Sequence, residues 1–263
     1  MKRSLVVSIV CLVALLHSTC LADLTFYSSD TDFQLATTGL TSLGTEGFEQ
    51  VDSNVLPYNT TGAAIDDPLT QTTSNPVYPN GIDLPITVQS NTLGANPTSP
   101  SPQGTNGLTV QRLATRYSGD YVYRLNSTML FPNSGSASID YIFESSDKIR
   151  AVSMFPRALH PLDVTVDIRV YDVNNNFLGS TSVLTNIGNV SANGIDYSLN
   201  PFLGIVSSTA DIGRINLNGY ITPGDSTVSG ADDITLLSAV PEPTCSWLAL
   251  GCLAHFVCRR RRR

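Results

Sequence analysis

Between residues 23 and 239 this 263-residue chain has no cysteine and no tryptophan, and a single histidine, His160. Cys11, Cys20, Cys245, Cys252 and Cys258, with Trp247, all fall outside that stretch. A body without cysteine has no disulfide framework, no thiol nucleophile and no cysteine metal site. His160, followed by Pro161, reads as a loop residue, and alone it cannot complete a serine triad or a histidine metal cage. The missing tryptophan removes a stacking platform that many sugar binders use. Ten tyrosines remain, and they read first as strand and core packing. Positive charge is scarce too. Taking Lys2, Arg3 and the five terminal arginines from the 15 basic residues leaves 8, and taking Glu242 from the 22 acidic ones leaves 21, so the body is near −13. Such a surface does not neutralise phosphates, which excludes nucleic acid as a partner, and it fits an extracellular surface and divalent cations. There is no phosphate loop, dinucleotide fingerprint or internal repeat.

What is present starts at the ends. Lys2 and Arg3 precede an uncharged apolar run over 5–16, and Cys20-Leu21-Ala22 has the small-x-small form of a cleavage site. Residues 1–22 therefore read as a secretory signal peptide, with Asp23 as the first mature residue. The run is short of the ~20 apolar residues of a spanning helix. His17 stands where a lipoprotein signal has leucine, so Cys20 is not read as acylated. At the other end, Val240-Pro241-Glu242-Pro243 is stiff and non-helical, because proline fixes its own backbone and constrains the residue before it. Residues 244–258 are mostly apolar and carry no formal charge. Arg259, Arg260, Arg261, Arg262 and Arg263 follow, in the position that holds the cytoplasmic side of a membrane helix. The apolar segment is somewhat short for a span, a deficit that snorkelling arginines and local thinning offset.

Pro241-Glu242-Pro243, a short apolar helix and an arginine cluster, in that order at the C-terminus, resemble the PEP-CTERM sorting signal of bacterial exported proteins. The resemblance covers 240–263 and departs from the usual pattern in holding three cysteines and His255. It implies an exosortase-type processing enzyme as partner. It also implies an inner-membrane-tethered intermediate held by the C-terminal transmembrane helix, and a final place at the cell surface or in an exopolysaccharide or biofilm matrix.

The body, 23–239, reads as all-β. Short runs of period-two alternation recur between turn signals. Residues 163–171 are the clearest, with Val164, Val166, Ile168 and Val170 on one face. Asp172 to Asn176 then form an Asx-type turn and 177–184 return as a hairpin partner. Further strands are expected at 82–88, 108–113, 121–125, 137–143, 151–155, 202–207, 214–220 and 233–237. One short helix, 31–37, is expected with Asp30 as its cap. Many strands and almost no helix point to a single antiparallel β-sandwich, jelly-roll-like. Residues 66–107 are rich in Pro, Asn, Thr and Ser and read as one strand with two long loops. More loosely, the body resembles the domain of many such tailed proteins, similar to carbohydrate-binding-type jelly rolls. The features that carry this are a strand opening at Phe48-Glu49, a strand at Phe202-Leu203-Gly204-Ile205-Val206 and an Asp-rich last strand at Asp232-Asp233-Ile234.

Two function classes follow. One is an exported, non-catalytic cell-surface or matrix protein that binds glycan or exopolysaccharide. The alternative is an extracellular polysaccharide-acting hydrolase, whose carboxylate pair would be hidden among the 21 acids. Glu49, Asp232 and Asp233 come from near the first and last strands of a sandwich in which those strands can be neighbours. They are the candidate ligands of a structural calcium ion, with ordinary solvated charge as the plainer reading. Asp66, Asp67 and Asp172 are weaker candidates, and Asp172 is better explained by its turn. A calcium ion there predicts earlier melting in chelator than in millimolar calcium, by about 2.7 kcal/mol when calcium is at a hundred times its dissociation constant. The shift should disappear in Glu49→Gln or Asp233→Asn.

Overall fold

A computed structural model describes residues 24–48, 50, 63–65, 68–92, 108–116, 123–132, 137–158, 163–185, 190–191, 194–196, 201–208, 211–220 and 229–239. The proposed signal peptide, the sorting tail, Glu49, Asp66, Asp67 and His160 lie outside them. In chain order the elements are β1 (Leu24–Tyr27), α1 (Asp30–Ala36), β2 (Thr41–Glu46), β3 (Ala63–Ile65), β4 (Ile86–Thr92), β5 (Leu108–Arg116), β6 (Tyr123–Pro132), β7 (Ala137–Phe143) and β8 (Ile149–Ala158). β9 (Val164–Asp172), β10 (Phe177–Thr185), β11 (Val190–Ser191), β12 (Gly194–Asp196), β13 (Leu203–Ser207), β14 (Ile212–Tyr220) and β15 (Ser229–Ser238) follow.

Two antiparallel five-stranded sheets form the body, in the orders β1-β13-β8-β15-β2 and β10-β9-β14-β7-β4. A smaller sheet joins β11, β12, β5 and β3, with β6 on β5 and the β12–β5 pair parallel. The pairings of the two large sheets are nested. β2 pairs with β15, β7 with β14, β8 with β13 and β9 with β10. First meets last, second meets second-to-last, and so inward to a hairpin tip. One long antiparallel hairpin wound into two sheets gives this order, which is how a jelly roll of two Greek keys is built. Here β1 and β4 extend its edges.

The tip is the turn expected at Asp172. Its Oδ1 accepts the backbone N–H groups of Asn174 at 2.8 Å and Asn176 at 2.7 Å, and Asn176 Nδ2 donates to Oδ2 at 2.9 Å. Asn175 takes the left-handed conformation (φ 65) that asparagine tolerates best among ordinary residues. The alternation of β9 points Val164, Val166, Ile168 and Val170 inward with no exposed surface. They join one buried cluster with Val152 and Met154 of β8, Ile205 of β13 and Ile234 and Leu236 of β15, so both sheets share a core. Tyr141 crosses it, and its hydroxyl oxygen accepts the Ala231 N–H at 2.8 Å. Burial raises the Tyr141 hydroxyl well above its ordinary range and keeps it protonated.

α1 lies outside the first sheet. Ser29, not Asp30, is its N-cap, with Oγ accepting Asp32 N–H at 3.4 Å. Asp30 instead opens the helix and accepts from Gln34. Phe33 is buried directly over Gly204 of β13, where a Cβ would collide with the ring. Edge-on contacts with Tyr27 and Phe202, at centroid distances of 6.3 and 5.7 Å, hold it there.

The region read as irregular is ordered through 68–92. Leu69 exchanges two backbone bonds with Val88 of β4, and Leu69, Val77, Tyr78, Ile82 and Leu84 are all buried in the shared core. Gly81 (φ 72) closes this loop against the Gln71 carbonyl, a position with no room for a Cβ. Glu46, the last residue of β2, fastens it. Its Oε1 accepts Phe48 N–H at 2.7 Å and Gln50 Nε2 at 3.1 Å, and its Oε2 accepts Asp83 N–H at 2.8 Å and Leu84 N–H at 3.1 Å. The strand expected to open at Phe48-Glu49 is absent on the Phe48 side: β2 has ended, and Phe48 is a buried ring on left-handed backbone (φ 56). Its carbonyl accepts the Tyr78 hydroxyl at 3.1 Å.

Glu46 has no exposed surface, so its four donors have no water to turn to. Glu46→Gln places an amide N–H against donors. It should cost roughly 3 kcal/mol or more, since each buried group left unpaired costs ~1–3 kcal/mol. Denaturant titration gives the loss, and limited proteolysis should cut first within 68–85. An unchanged midpoint would show that the clasp is incidental.

Candidate functional site

The outward face of the second sheet carries a contiguous set of polar side chains. Cross-strand register arranges it as a grid on β14, β9 and β10. Arg214, Tyr171 and Phe177 form one row, Asn216, Arg169 and Ser180 the next, Asn218, Asp167 and Ser182 the third, and Tyr220, Thr165 and Leu184 the last. The odd-numbered β9 residues and even-numbered β14 residues face this side because their neighbours Val166, Ile168, Ile215 and Leu217 are taken by the core.

The grid has a closed half and an open half. On the closed side, β7 adds Ser138 and Asp140, and β4 adds Gln89. Asp140 is fully buried, and Ser138, Arg214 and Asn216 nearly so. Asn216 Nδ2 donates to Asp140 Oδ1 at 2.7 Å and to Ser138 Oγ at 2.9 Å. Arg214 Nη1 reaches both Asp140 oxygens, at 3.4 and 3.3 Å. The guanidinium lies 3.9 Å from the Tyr171 ring centre, and Tyr171 meets Phe177 edge-on at 5.7 Å. Carboxylate, guanidinium and ring thus form a continuous chain across four strands, in which the buried charges are paired as burial requires.

On the open side, Thr165, Asp167, Arg169, Asn218 and Tyr220 are half-buried, and Phe177, Ser180, Ser182 and Leu184 are exposed. Tyr220 donates to Asp167 Oδ1 at 3.4 Å. Its hydroxyl is raised above its ordinary value by desolvation, and then by the negative charge and hydrogen bond of Asp167, so it remains a donor at neutral pH. Asn218 Oδ1 is buried without a hydrogen-bond partner among the described residues. This half offers a carboxylate, a guanidinium, an amide, three hydroxyls from Ser and Thr, and two rings, set at strand spacing. Sequence reading took 163–171 as a strand from its inward residues and 177–184 as its hairpin partner. The outward grid depends on register, which alternation alone does not supply.

The acids singled out from sequence fall as follows. β15 pairs with β2, with Ile234 opposite Glu46, while the first strand, β1, pairs with β13 and not with the last. The buried early-strand carboxylate is Glu46; Glu49 lies outside the described residues. Asp232 is buried and meets Arg157 Nη2 at 3.3 Å, and its Oδ1 accepts Asp233 N–H at 2.9 Å. Asp233 is exposed, with φ 49. Between Asp232 and Thr235 the partner strand advances only from Phe155 to Ser153, so β15 carries one extra residue there. That bulge lets Ala231 and Ile234, three apart, both face the core. Among the described residues no three His, Cys, Asp or Glu side chains gather as a metal site.

No protein-family model matches this chain, and no curated protein matches it. Among solved structures, the enzymatically active domain of tailspike protein 4 of bacteriophage CBA120 is similar over 55% of this chain and 21% of that one, at 10% identity and a TM-score of 0.22. The chain therefore spans about a fifth of that domain's length, and a likeness at that score carries no argument.

The buried pair gives a stability test. Asp140→Ala leaves Arg214 buried without its carboxylate and should cost about 3–5 kcal/mol. Asp140→Ala with Arg214→Met should cost clearly less than the sum of the two single changes. Additive losses in a double-mutant cycle would mean that the two groups do not act as a pair.

Proposed function

We propose that this chain is an exported, non-catalytic cell-surface or matrix protein whose jelly-roll body binds a neutral extracellular polysaccharide on the open half of the β14–β9–β10 face. The observation that carries the binding reading is the mixture of rings, donors and acceptors held half-exposed on three adjacent strands. A sugar hydroxyl both donates and accepts, and Asp167 beside Arg169 meets both needs without net charge. Tyr220 and Phe177 supply apolar faces at two corners. The non-catalytic reading is supported by the roles the buried carboxylates already fill. Glu46 accepts four N–H groups, Asp140 pairs with Arg214 and Asp232 with Arg157.

Export and sorting rest on the two ends of the sequence, with their resemblance to PEP-CTERM proteins, and on how closely the fold fits between them. β1 begins at Leu24, one residue after the proposed mature start, and β15 ends at Ser238, two residues before Val240. In this reading an exosortase-type enzyme processes the tail after the apolar segment 244–258 has held the protein at the inner membrane.

The test uses the full chain produced in a host with an active exosortase. Intact mass should show loss of 1–22 and of the tail near Pro241-Glu242-Pro243; extracellular protein that keeps Arg259 to Arg263 would refute the sorting reading. The same material should be retained by the host's own exopolysaccharide without releasing reducing ends. Tyr220→Ala or Asp167→Ala should weaken retention roughly tenfold, about 1.4 kcal/mol, with melting little changed. Released reducing ends would move the assignment to the hydrolase alternative.

A further inference from the structure

A sheet edge exposes unpaired N–H and C=O groups, and proteins protect such edges with short strands, bulges, charges or covering loops. The two large sheets have four edges, and three are protected. β1 is only four residues long. β2 has a register shift opposite Leu236 and Leu237, with Gly44 on positive φ, and its end is fastened through Glu46 to the 68–85 loop. β4 is bridged by Leu69.

β10 is different. It is a nine-residue strand, FLGSTSVLT, with no charge and no proline. Among the described residues its only strand partner is β9. Its one irregularity lies near the start, between Phe177 and Gly179, and 179–185 run in regular register. Of the four exposed large apolar residues among those described, Phe177 and Leu184 are on β10 and Val173 is on the turn leading into it. Leu178 and Val183 are half-covered residues at the same margin of the core.

We propose that β10 is a self-association edge, and that its occupant is β10 of a second copy of this chain, paired antiparallel about a two-fold axis. A register centred on Ser182 sets Ser182 opposite itself, Thr181 opposite Val183 and Ser180 opposite Leu184, so like faces meet like faces. No ionised side chain on the strand opposes its own copy. A second copy is favoured over an unrelated strand because a two-fold pair consumes both free edges at once and closes. The two outward grids then lie side by side on a continuous ten-stranded sheet. The proposal does not depend on what those grids bind.

The test is oligomeric state, read without polysaccharide. Full-length chain produced with its own export signals and recovered in mild detergent should show twice the mass of one chain by light scattering corrected for detergent, falling on dilution. Ser182→Lys and Ser180→Lys alter exposed side chains only. Each should halve the mass at concentrations where the wild type is paired, with an unchanged circular dichroism spectrum. Amide exchange over 179–185 should slow in the wild type as concentration rises, which needs no variant. A single-chain mass at every concentration, a dimer that survives both lysines, or exchange over 179–185 that ignores concentration would overturn the proposal.

Discussion

The body depends on the nested pairing of its strands about the Asp172 turn. Every other feature is placed by it. Because β9 returns as β10, each earlier strand finds its partner progressively later in the chain, until β2 waits for β15. Two consequences are fixed at once. The inward faces of both sheets meet in one core, and the outward face of the second sheet acquires the rows that bring Asp167, Arg169, Asn218 and Tyr220 together. Asp172 directs its carboxylate to two backbone N–H groups and one amide at this tip.

The other buried acids serve the same architecture. Glu46 converts a segment of Pro, Asn, Thr and Ser into part of the core by offering acceptors where a loop has surplus donors. Asp140 and Asp232 are each matched to an arginine on the neighbouring strand, Arg214 on β14 and Arg157 on β8. Such pairs add little net stability against apolar replacements, but removing one member is costly, so they penalise a shifted register. The acidity that sequence alone assigned to the surface or to calcium is thus partly internal. The acids that remain outward on the second sheet, such as Asp167, sit among hydroxyls and rings.

Strong local signals made much of this legible. The alternation of 163–171 predicted an inward face that is entirely buried, the Asn-rich turn identified a hairpin, and 137–143 matched β7 residue for residue. β1 and β2 were not anticipated. β1 has only four residues, and β2 contains Gly44 at φ 129, with side chains that break the pattern of a half-buried strand. The role of Glu46 could not be read from its neighbours alone, since two of the four N–H groups it holds, those of Asp83 and Leu84, are 37 and 38 residues away. Asp232-Asp233 looked like a pair of ligands. In the fold a left-handed residue separates their surroundings, so that one is buried against an arginine and the other faces out. Nothing in the composition announces a bulge; it becomes visible only when Ala231 and Ile234 must both point inward.

β15 lies between β8 and β2 in the first sheet although it is the last strand of the body. A chain that emerges from the ribosome N-terminus first therefore presents β8 and β2 with nothing between them until 229–238 have been made. Contacts of such large sequence separation form late and slowly. The first sheet is left as two separate edges until then, and it closes only when β15 is added between them. The order of strands thus works as a clock: the first sheet stays open while the chain is being made, and locks only when 229–238 arrive.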